Sequence, residues 1–152
     1  MPANAYVDGL KMLARRELSE YQIRQRLARK GYEPETIDDA VARLVGERAL
    51  DDARVAEAIA RTETSIRRRG KLRVQMQIQK AGIDKSIAKR AIDEVFGSID
   101  DHALIEAALH RRLRGREEIA DDREFQRLYR YLMGQGFDTD AIMKTLSARR
   151  RR

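Results

Sequence analysis

The sequence contains no cysteine and no tryptophan, and only 2 of its 152 residues are proline. Without cysteine the fold cannot depend on disulfides, so the chain needs no oxidising compartment. No apolar run approaches the roughly 20 residues that cross a bilayer, and the start of the chain lacks the basic and apolar blocks of a signal peptide. We therefore expect a soluble protein of the cytoplasm with no membrane partner.

The chain is also poor in the residues that build catalytic and metal sites. Its two imidazoles, His102 and His110, would lie ~12 Å apart along a helix, which is too far for them to share one zinc ion. Capping of helix starts explains the paired aspartates more simply than a metal or acid–base site does. These pairs stand at positions 38–39, 51–52, 100–101 and 121–122. We expect no catalytic residues, no cofactor and no metal, and therefore no enzyme.

The residues that are abundant favour helix. Hydrophobic residues make up 42% of the chain and charged residues 38%, with Ala, Leu, Arg, Glu and Gln prominent. Alternating apolar and polar runs between turn residues, the pattern of β-strands, are absent from the sequence. We therefore predict an all-α protein.

A glycine is followed by a large apolar residue and an acidic residue three times: in KGYE around Gly31, in AGID around Gly82 and in QGFD around Gly136. Glycine closes a helix in the left-handed conformation, and the apolar residue packs back against that helix. The acidic residue stands where the cap of the next helix belongs. We therefore predict that Gly31, Gly82 and Gly136 are structural helix stops.

The segments around these glycines have helical patterns. Ser19 and Gln22 form a capping box, which predicts a helix beginning at Glu20. Apolar residues recur at helical spacing before each glycine. They are Ile23 and Leu27, Val74 and Ile78, and Leu128 and Leu132.

A further helix precedes each of these helix pairs. Acidic starts at Asp51 and Asp100 introduce two such helices. Residues 6–18, with apolar positions at Val7, Leu10, Leu13 and Ala14, fill the same place in the first copy. A repeat of roughly 50 residues is typical of helical arrays. We predict an elongated, curved array of three tandem three-helix repeats, at 1–50, 51–99 and 100–148, with a basic tail at 149–152.

The formal net charge is +7 and the pI is near 10, so a polyanion or an acidic protein surface is the natural partner. Four of the charges belong to residues 149–152, which we expect to be disordered because they are terminal. The other basic residues cluster where the first helix of each repeat meets the second. The clusters contain Arg15 and Arg16; Arg67, Arg68, Arg69, Lys71 and Arg73; and Arg111, Arg112, Arg114 and Arg116.

Equivalent positions of stacked repeats lie along one side of an array, so these three clusters are predicted to form one basic stripe that binds a partner or DNA. Arginine forks suit phosphates and carboxylates equally well, so the stripe does not choose between DNA and an acidic protein groove. The simpler alternative for any single cluster is a solvated face. Tyr129 and Tyr131, beside Arg127 and Arg130, form only a thin platform for stacking bases.

Four stretches of the chain resemble the RecX family of regulatory proteins, which modulate the bacterial recombinase RecA. They are LKMLARRELSEYQIRQRLARKGY at 10–32, LDDARVAEAIA at 50–60, RGKLRVQMQIQKAGI at 69–83 and RLYRYLMGQGFDTDAIMKTL at 127–146. The third stretch departs from the family pattern. Where the family often has Gly-Pro and a later Glu-Leu, this chain has Gly70 and Lys71, then Gln77 and Ile78.

The resemblance implies a non-enzymatic regulator that binds RecA and the RecA–DNA filament and mainly inhibits recombinase, ATPase and coprotease activities. It places the chain in DNA repair by homologous recombination and in the SOS response. We expect a monomer, and direct binding of single- or double-stranded DNA is left open. The residues alone leave a second hypothesis open, because helices joined by short glycine turns resemble helix-turn-helix elements. In that hypothesis the protein is a stand-alone nucleic-acid-binding module.

Overall fold

A computed structural model describes residues 4–97 and 100–150, and these ranges contain nine α-helices. No strand occurs in the two ranges, and their one isolated β-bridge joins Ile119 to Arg150. None of the helices described is long and apolar enough to span a membrane. The helices are α1 Ala5–Arg15, α2 Glu20–Arg29, α3 Pro34–Gly46, α4 Asp52–Ser65, α5 Lys71–Lys80, α6 Lys85–Phe96, α7 Asp101–Leu113, α8 Asp122–Gly134 and α9 Thr139–Ala148.

The helices bury three separate apolar cores, one for each consecutive set of three helices. We call the sets unit 1 (α1 to α3), unit 2 (α4 to α6) and unit 3 (α7 to α9). Fully buried members of the three cores include Leu27 in unit 1, Ile78 in unit 2 and Leu132 in unit 3. The prediction of an all-α tandem repeat of three-helix units is therefore confirmed, while the residue boundaries given for the repeats stay a prediction.

The predicted helix starts are present. The Ser19 hydroxyl accepts from the Gln22 amide at 3.2 Å, and the Gln22 side chain accepts from the Ser19 amide at 2.9 Å, which completes the capping box. The Asp51, Asp100 and Asp121 side chains cap α4, α7 and α8. Three of the four aspartate pairs thus contribute helix caps.

The three glycines predicted as helix stops each follow the end of a helix. Gly31, Gly82 and Gly136 have φ angles of 95°, 75° and 94°, in the left-handed region that favours glycine. After Gly31, the Tyr32 amide donates to the carbonyl of Leu27 at 3.3 Å, which satisfies an otherwise unpaired carbonyl at the helix end.

The first helix differs from its prediction in its end and in its buried face. It ends at Arg15, not at residue 18. Of its predicted apolar positions, Leu10 and Leu13 pack against the core of unit 1, whereas Val7 and Ala14 are exposed. The buried face also contains Gly9, where an added Cβ would lie 2.8 Å from a methyl group of Leu44 in α3, so the absence of a side chain there lets the two helices approach closely.

The expectation of a disordered basic tail is wrong for the two arginines that the structure describes. The Arg149 guanidinium pairs with Glu106 of α7, and the Arg150 guanidinium lies 2.6 Å from a carboxylate oxygen of Asp122 in α8. Carboxylates on two neighbouring helices therefore hold the end of α9. Residues 151–152 lie outside the described ranges.

Candidate binding surface

Unit 1 meets unit 2 at the start of α2. Ser19 is fully buried, and its hydroxyl donates a hydrogen bond to the carbonyl of Ala81 at the end of α5. The Glu20 amide donates to a carboxylate oxygen of Asp52 at 2.8 Å. Tyr21 covers Gly82 so closely that an added Cβ would lie 2.4 Å from the tyrosine ring. The start of α2 is thus docked on the glycine turn of unit 2.

Unit 2 meets unit 3 through the same elements. The amide of Gly70, which caps α5, donates to the carbonyl of Gln135 at 2.8 Å, and the Leu72 amide donates to the carbonyl of Gly136 at 3.1 Å. An added Cβ at Gly136 would lie 2.3 Å from the backbone nitrogen of Arg73. The start of the second helix of one unit therefore docks on the glycine turn of the next unit at both joints.

This repeated joint gives the glycine a second role in units 2 and 3. Besides ending a helix, Gly82 and Gly136 leave room for the backbone or side chains of the preceding unit. The equivalent Gly31 of unit 1 has no neighbouring atom within 4 Å at its Cβ position, so there it serves only as a helix stop.

Two of the three predicted basic clusters lead into these docking elements. Each cluster lies at or near the connection between the first and second helices of its unit, and in units 1 and 2 this connection leads into the helix whose start docks at a joint. In unit 3 the connection leads into α8, whose docking turn lies at its other end. Arg16 also lines a cavity of about 550 Å³ between units 1 and 2, together with Lys80 of α5. The clusters thus occupy equivalent places in their units, while their alignment into one stripe stays a prediction.

Three of the predicted binding residues form ion pairs within the protein, and a fourth, Arg73, is half-buried between two units. The buried Glu63 carboxylate lies 3.6 Å from the guanidinium of Arg67 and 3.4 Å from that of Arg69. Arg116 pairs with Glu124 at 2.6 Å. Arg73 is half-buried at the joint between units 2 and 3.

The other seven have no carboxylate within ion-pairing distance in the part of the chain that the structure describes. An unpaired surface charge keeps its full attraction for an external anion, so these residues form the available part of the predicted surface. We call them the unpaired basic set. They are Arg15, Arg16, Arg68, Lys71, Arg111, Arg112 and Arg114.

Two members of the unpaired basic set have a backbone conformation that glycine would adopt more easily. Arg68 has a φ angle of 56° and Arg114 one of 52°, both in the left-handed region. Each lies in the turn that follows the first helix of its unit. Outside the predicted clusters, Arg48 has the same conformation, with a φ angle of 58°.

Arg127 is not among the residues predicted for the third cluster. The structure places it in a cavity of about 390 Å³ between the end of α7 and α8, together with Arg112, Arg114 and Arg116. The sequence contains a pattern that indicates this position. Arg127 lies three residues after Glu124 and four before Tyr131, and both of these residues also line the cavity. Such spacing puts all three on one face of a helix.

The described residues contain no group of three or more His, Asp or Glu side chains placed to hold a metal ion. His102 instead makes contacts within unit 3. The Nδ1 atom of His102 lies 3.2 Å from the Thr145 hydroxyl, and its Nε2 atom lies 3.8 Å from a carboxylate oxygen of Glu106. His102 therefore contacts α9 and its own helix.

Comparison with known proteins gives a consistent result over the whole length of the chain. The family descriptions of the first, second and third three-helix domains of RecX match residues 5–44, 51–92 and 100–146. Regulatory protein RecX of Syntrophotalea carbinolica is 28% identical over 148 residues, which cover 97% of each chain. Regulatory protein RecX of Halorhodospira halophila is 31% identical over 141 residues, 92% of this chain and 84% of its own.

The fold agrees with these matches. A crystal structure of RecX from Lactobacillus salivarius has a TM-score of 0.77 to this chain at 18% identity, and the match covers 95% of this chain and 93% of the other. The relatives are named regulatory proteins, which supports a regulatory role and is consistent with a protein that is not an enzyme. The chain belongs to the RecX family.

Proposed function

We propose that the protein binds the recombinase RecA and its nucleoprotein filament in the cytoplasm and mainly inhibits the recombinase, ATPase and coprotease activities of RecA. The observation that carries this proposal is the match to regulatory protein RecX across all three units, over 97% of the chain in one relative. A regulator of this kind acts by binding, so it needs an accessible surface and no catalytic centre.

The unpaired basic set supplies such a surface. A nucleoprotein filament presents acidic side chains and DNA phosphates, and guanidinium forks bind both. A net charge of +7 also attracts the protein towards a polyanion before any specific contact forms.

The repeated joint supplies a mechanism for inhibition. Three units linked in order present three basic clusters, so one chain contacts several neighbouring sites on a helical polymer. After one unit binds, the others act at a high effective concentration, and the whole chain dissociates slowly. A chain that bridges neighbouring RecA subunits would obstruct the growth of the filament.

We expect the protein to lower the DNA-dependent ATPase rate of RecA in a dose-dependent way. Replacing Arg15 and Arg16 together by alanine should weaken this inhibition, because it removes the whole first cluster. The measurement is ATP hydrolysis by RecA on single-stranded DNA as the protein is titrated in. Replacing Arg90 and Arg123, which lie outside the clusters, removes the same charge and serves as the control. An unchanged ATPase rate together with no binding to filaments would contradict the proposal.

The arginine-lined cavity of unit 3 favours a second function, binding of nucleic acid without RecA. That function requires affinity for naked single-stranded DNA that falls steeply as salt rises, because displaced counterions drive the association. Binding to RecA filaments, to free RecA and to bare DNA, measured side by side at two salt concentrations, separates the two functions. Binding to free RecA together with a flat salt response on bare DNA excludes the second function.

A further inference from the structure

The cavity of unit 3 carries an excess of positive charge. Of its lining residues, four are arginines and one, Glu124, is acidic. Arg116 donates to both carboxylate oxygens of Glu124, at 3.1 and 2.6 Å, and the amide of Ala120 donates to one of them at 3.0 Å. Both oxygens of the Glu124 carboxylate therefore already accept hydrogen bonds within the protein. Arg112, Arg114 and Arg127 face the same space, and among the described residues no carboxylate oxygen lies within ion-pairing distance of them, although the Glu124 charge also acts on Arg127.

Arg112 is fixed in place without being neutralised. Its guanidinium carbon lies 3.7 Å from the centre of the Tyr131 ring, and the Gln135 amide donates to the Tyr131 hydroxyl at 2.9 Å. Burial raises the pKa of Tyr131, but this hydrogen bond and the charges of Arg112 and Arg111 together lower it below its ordinary value. The tyrosine thus lies in the positive field of the cavity.

Arg114 reaches the cavity from a turn whose backbone favours glycine. Its φ angle is 52°, and Gly115 after it has a φ angle of 86°. The turn carries the chain from the end of α7 towards α8 and brings the Arg114 side chain beside Arg112 and Arg116. Glycine would form this turn with less strain, but it would supply no guanidinium.

The rest of the lining distinguishes between kinds of anionic ligand. Leu113 and Leu128 are only 0% and 6% exposed, so the cavity lacks the open apolar pocket that anchors a protein side chain. Arg112 covers one face of the Tyr131 ring, so a base cannot stack on that face. The available groups are guanidinium donors, whose forks suit phosphate and carboxylate oxygens alike, so the lack of an apolar anchor is what favours a strand phosphate over an acidic protein side chain.

We propose that this cavity binds a phosphate group of a nucleic-acid strand through Arg112, Arg114 and Arg127, and contacts the backbone without reading bases. The proposal rests on the proposed function, since the nucleoprotein filament supplies the strand. It selects phosphate, not an acidic protein side chain, as the ligand of the third cluster. It also adds Arg127 to that cluster.

The test measures binding of the full chain and its variants to an oligothymidine strand over a series of salt concentrations. Arg114→Gly removes a guanidinium and also relieves the left-handed strain, so its melting temperature should not fall. We expect weaker binding and a slope of log K against log salt that is shallower by about 0.7 for one lost phosphate contact. Arg48→Gly relieves the same backbone strain outside the cavity, and its binding should match that of the unaltered protein.

A second pair of variants, both on α8, tests the cavity without changing the turn that contains Arg114. Arg127→Gln should lower the affinity and the salt slope as Arg114→Gly does, whereas Arg123→Gln, outside the cavity on α8, should have a smaller effect. Equal binding by Arg114→Gly, Arg127→Gln and the unaltered protein would overturn the proposal. So would competition in which polyglutamate, at the same concentration of anionic groups, displaces the strand as well as unlabelled oligothymidine does.

The RecA assay separates this proposal from the function on which it rests. If the protein inhibits the RecA ATPase and the cavity variants bind oligothymidine normally, the proposed function stands and the phosphate site is wrong. If the protein leaves RecA unaffected and the cavity variants lose oligothymidine binding, the phosphate site stands without RecA.

Discussion

Gly136→Ala is expected to lower the free energy of unfolding by about 3 kcal/mol, whereas Gly31→Ala should cost only about 1 kcal/mol. The two glycines have nearly the same φ angle, 94° and 95°, so the left-handed strain on alanine is the same at both. They differ in their surroundings. A Cβ at Gly136 would lie 2.3 Å from the backbone nitrogen of Arg73, while nothing lies within 4 Å at Gly31. Denaturant unfolding of both variants measures the difference.

Gly70→Ala isolates the steric part of this effect. Gly70 has a φ angle of −84°, which any residue adopts, but its Cβ would lie 2.5 Å from the carbonyl oxygen of Gly136. Since the nearest atoms belong to backbone, the joint must shift to admit a methyl group. We expect a loss of about 2 kcal/mol from overpacking alone. If Gly136→Ala, Gly70→Ala and Gly31→Ala all lose a similar, small amount of unfolding free energy, the joint adapts to the added methyl group and the prediction is wrong.

Ser19→Ala is the second change for which we expect a large loss, about 2 to 4 kcal/mol of unfolding free energy. The hydroxyl caps α2 by accepting from the Gln22 amide, and a lost cap costs about 1 kcal/mol. The same hydroxyl donates to the carbonyl of Ala81 in unit 2, and an unsatisfied buried carbonyl costs about 1 to 3 kcal/mol. Thermal and denaturant unfolding measure the sum.

Asp84→Ala is the matched control for Ser19→Ala. The Asp84 side chain caps α6 by accepting from the Ser86 amide at 3.2 Å, and the structure gives it no hydrogen bond to another unit. Its loss should therefore cost about 1 kcal/mol, the value of a cap alone. If the two variants lose the same stability, the hydrogen bond from Ser19 to Ala81 contributes nothing.

These joints bear on function because they fix the positions of the three units, each of which carries one basic cluster, relative to one another. Stability in repeat proteins is approximately a sum of terms for each unit and each interface, so a change at one joint weakens one link and leaves the separate cores intact. We expect Gly136→Ala to disturb the relation between the second and third clusters while retaining every arginine. Its effect on RecA inhibition would show whether the clusters must act together.

The sequence by itself determined the helices and the repeat. Ser19 with Gln22 predicted the start of α2, and Gly31, Gly82 and Gly136, which predicted three helix ends, each follow the end of a helix in the structure. These features are predictable because a cap or a left-handed turn depends on residues within a few positions of one another. Apolar spacing identified the buried residues of the later helices for the same reason.

Contacts between distant parts of the chain decided what the sequence could not. The spacing of apolar residues in α1 indicated Val7 as buried, but Val7 is exposed, and the buried face contains Gly9, which Leu44 approaches closely. Terminal position suggested disorder for Arg149 and Arg150, but carboxylates on α7 and α8 bind them. The role of Gly136 in a joint, and the meeting of Arg127 with Arg114, likewise became visible only in the folded chain. Close packing and charge pairing depend on which segments become neighbours in space, and only the tertiary structure specifies that.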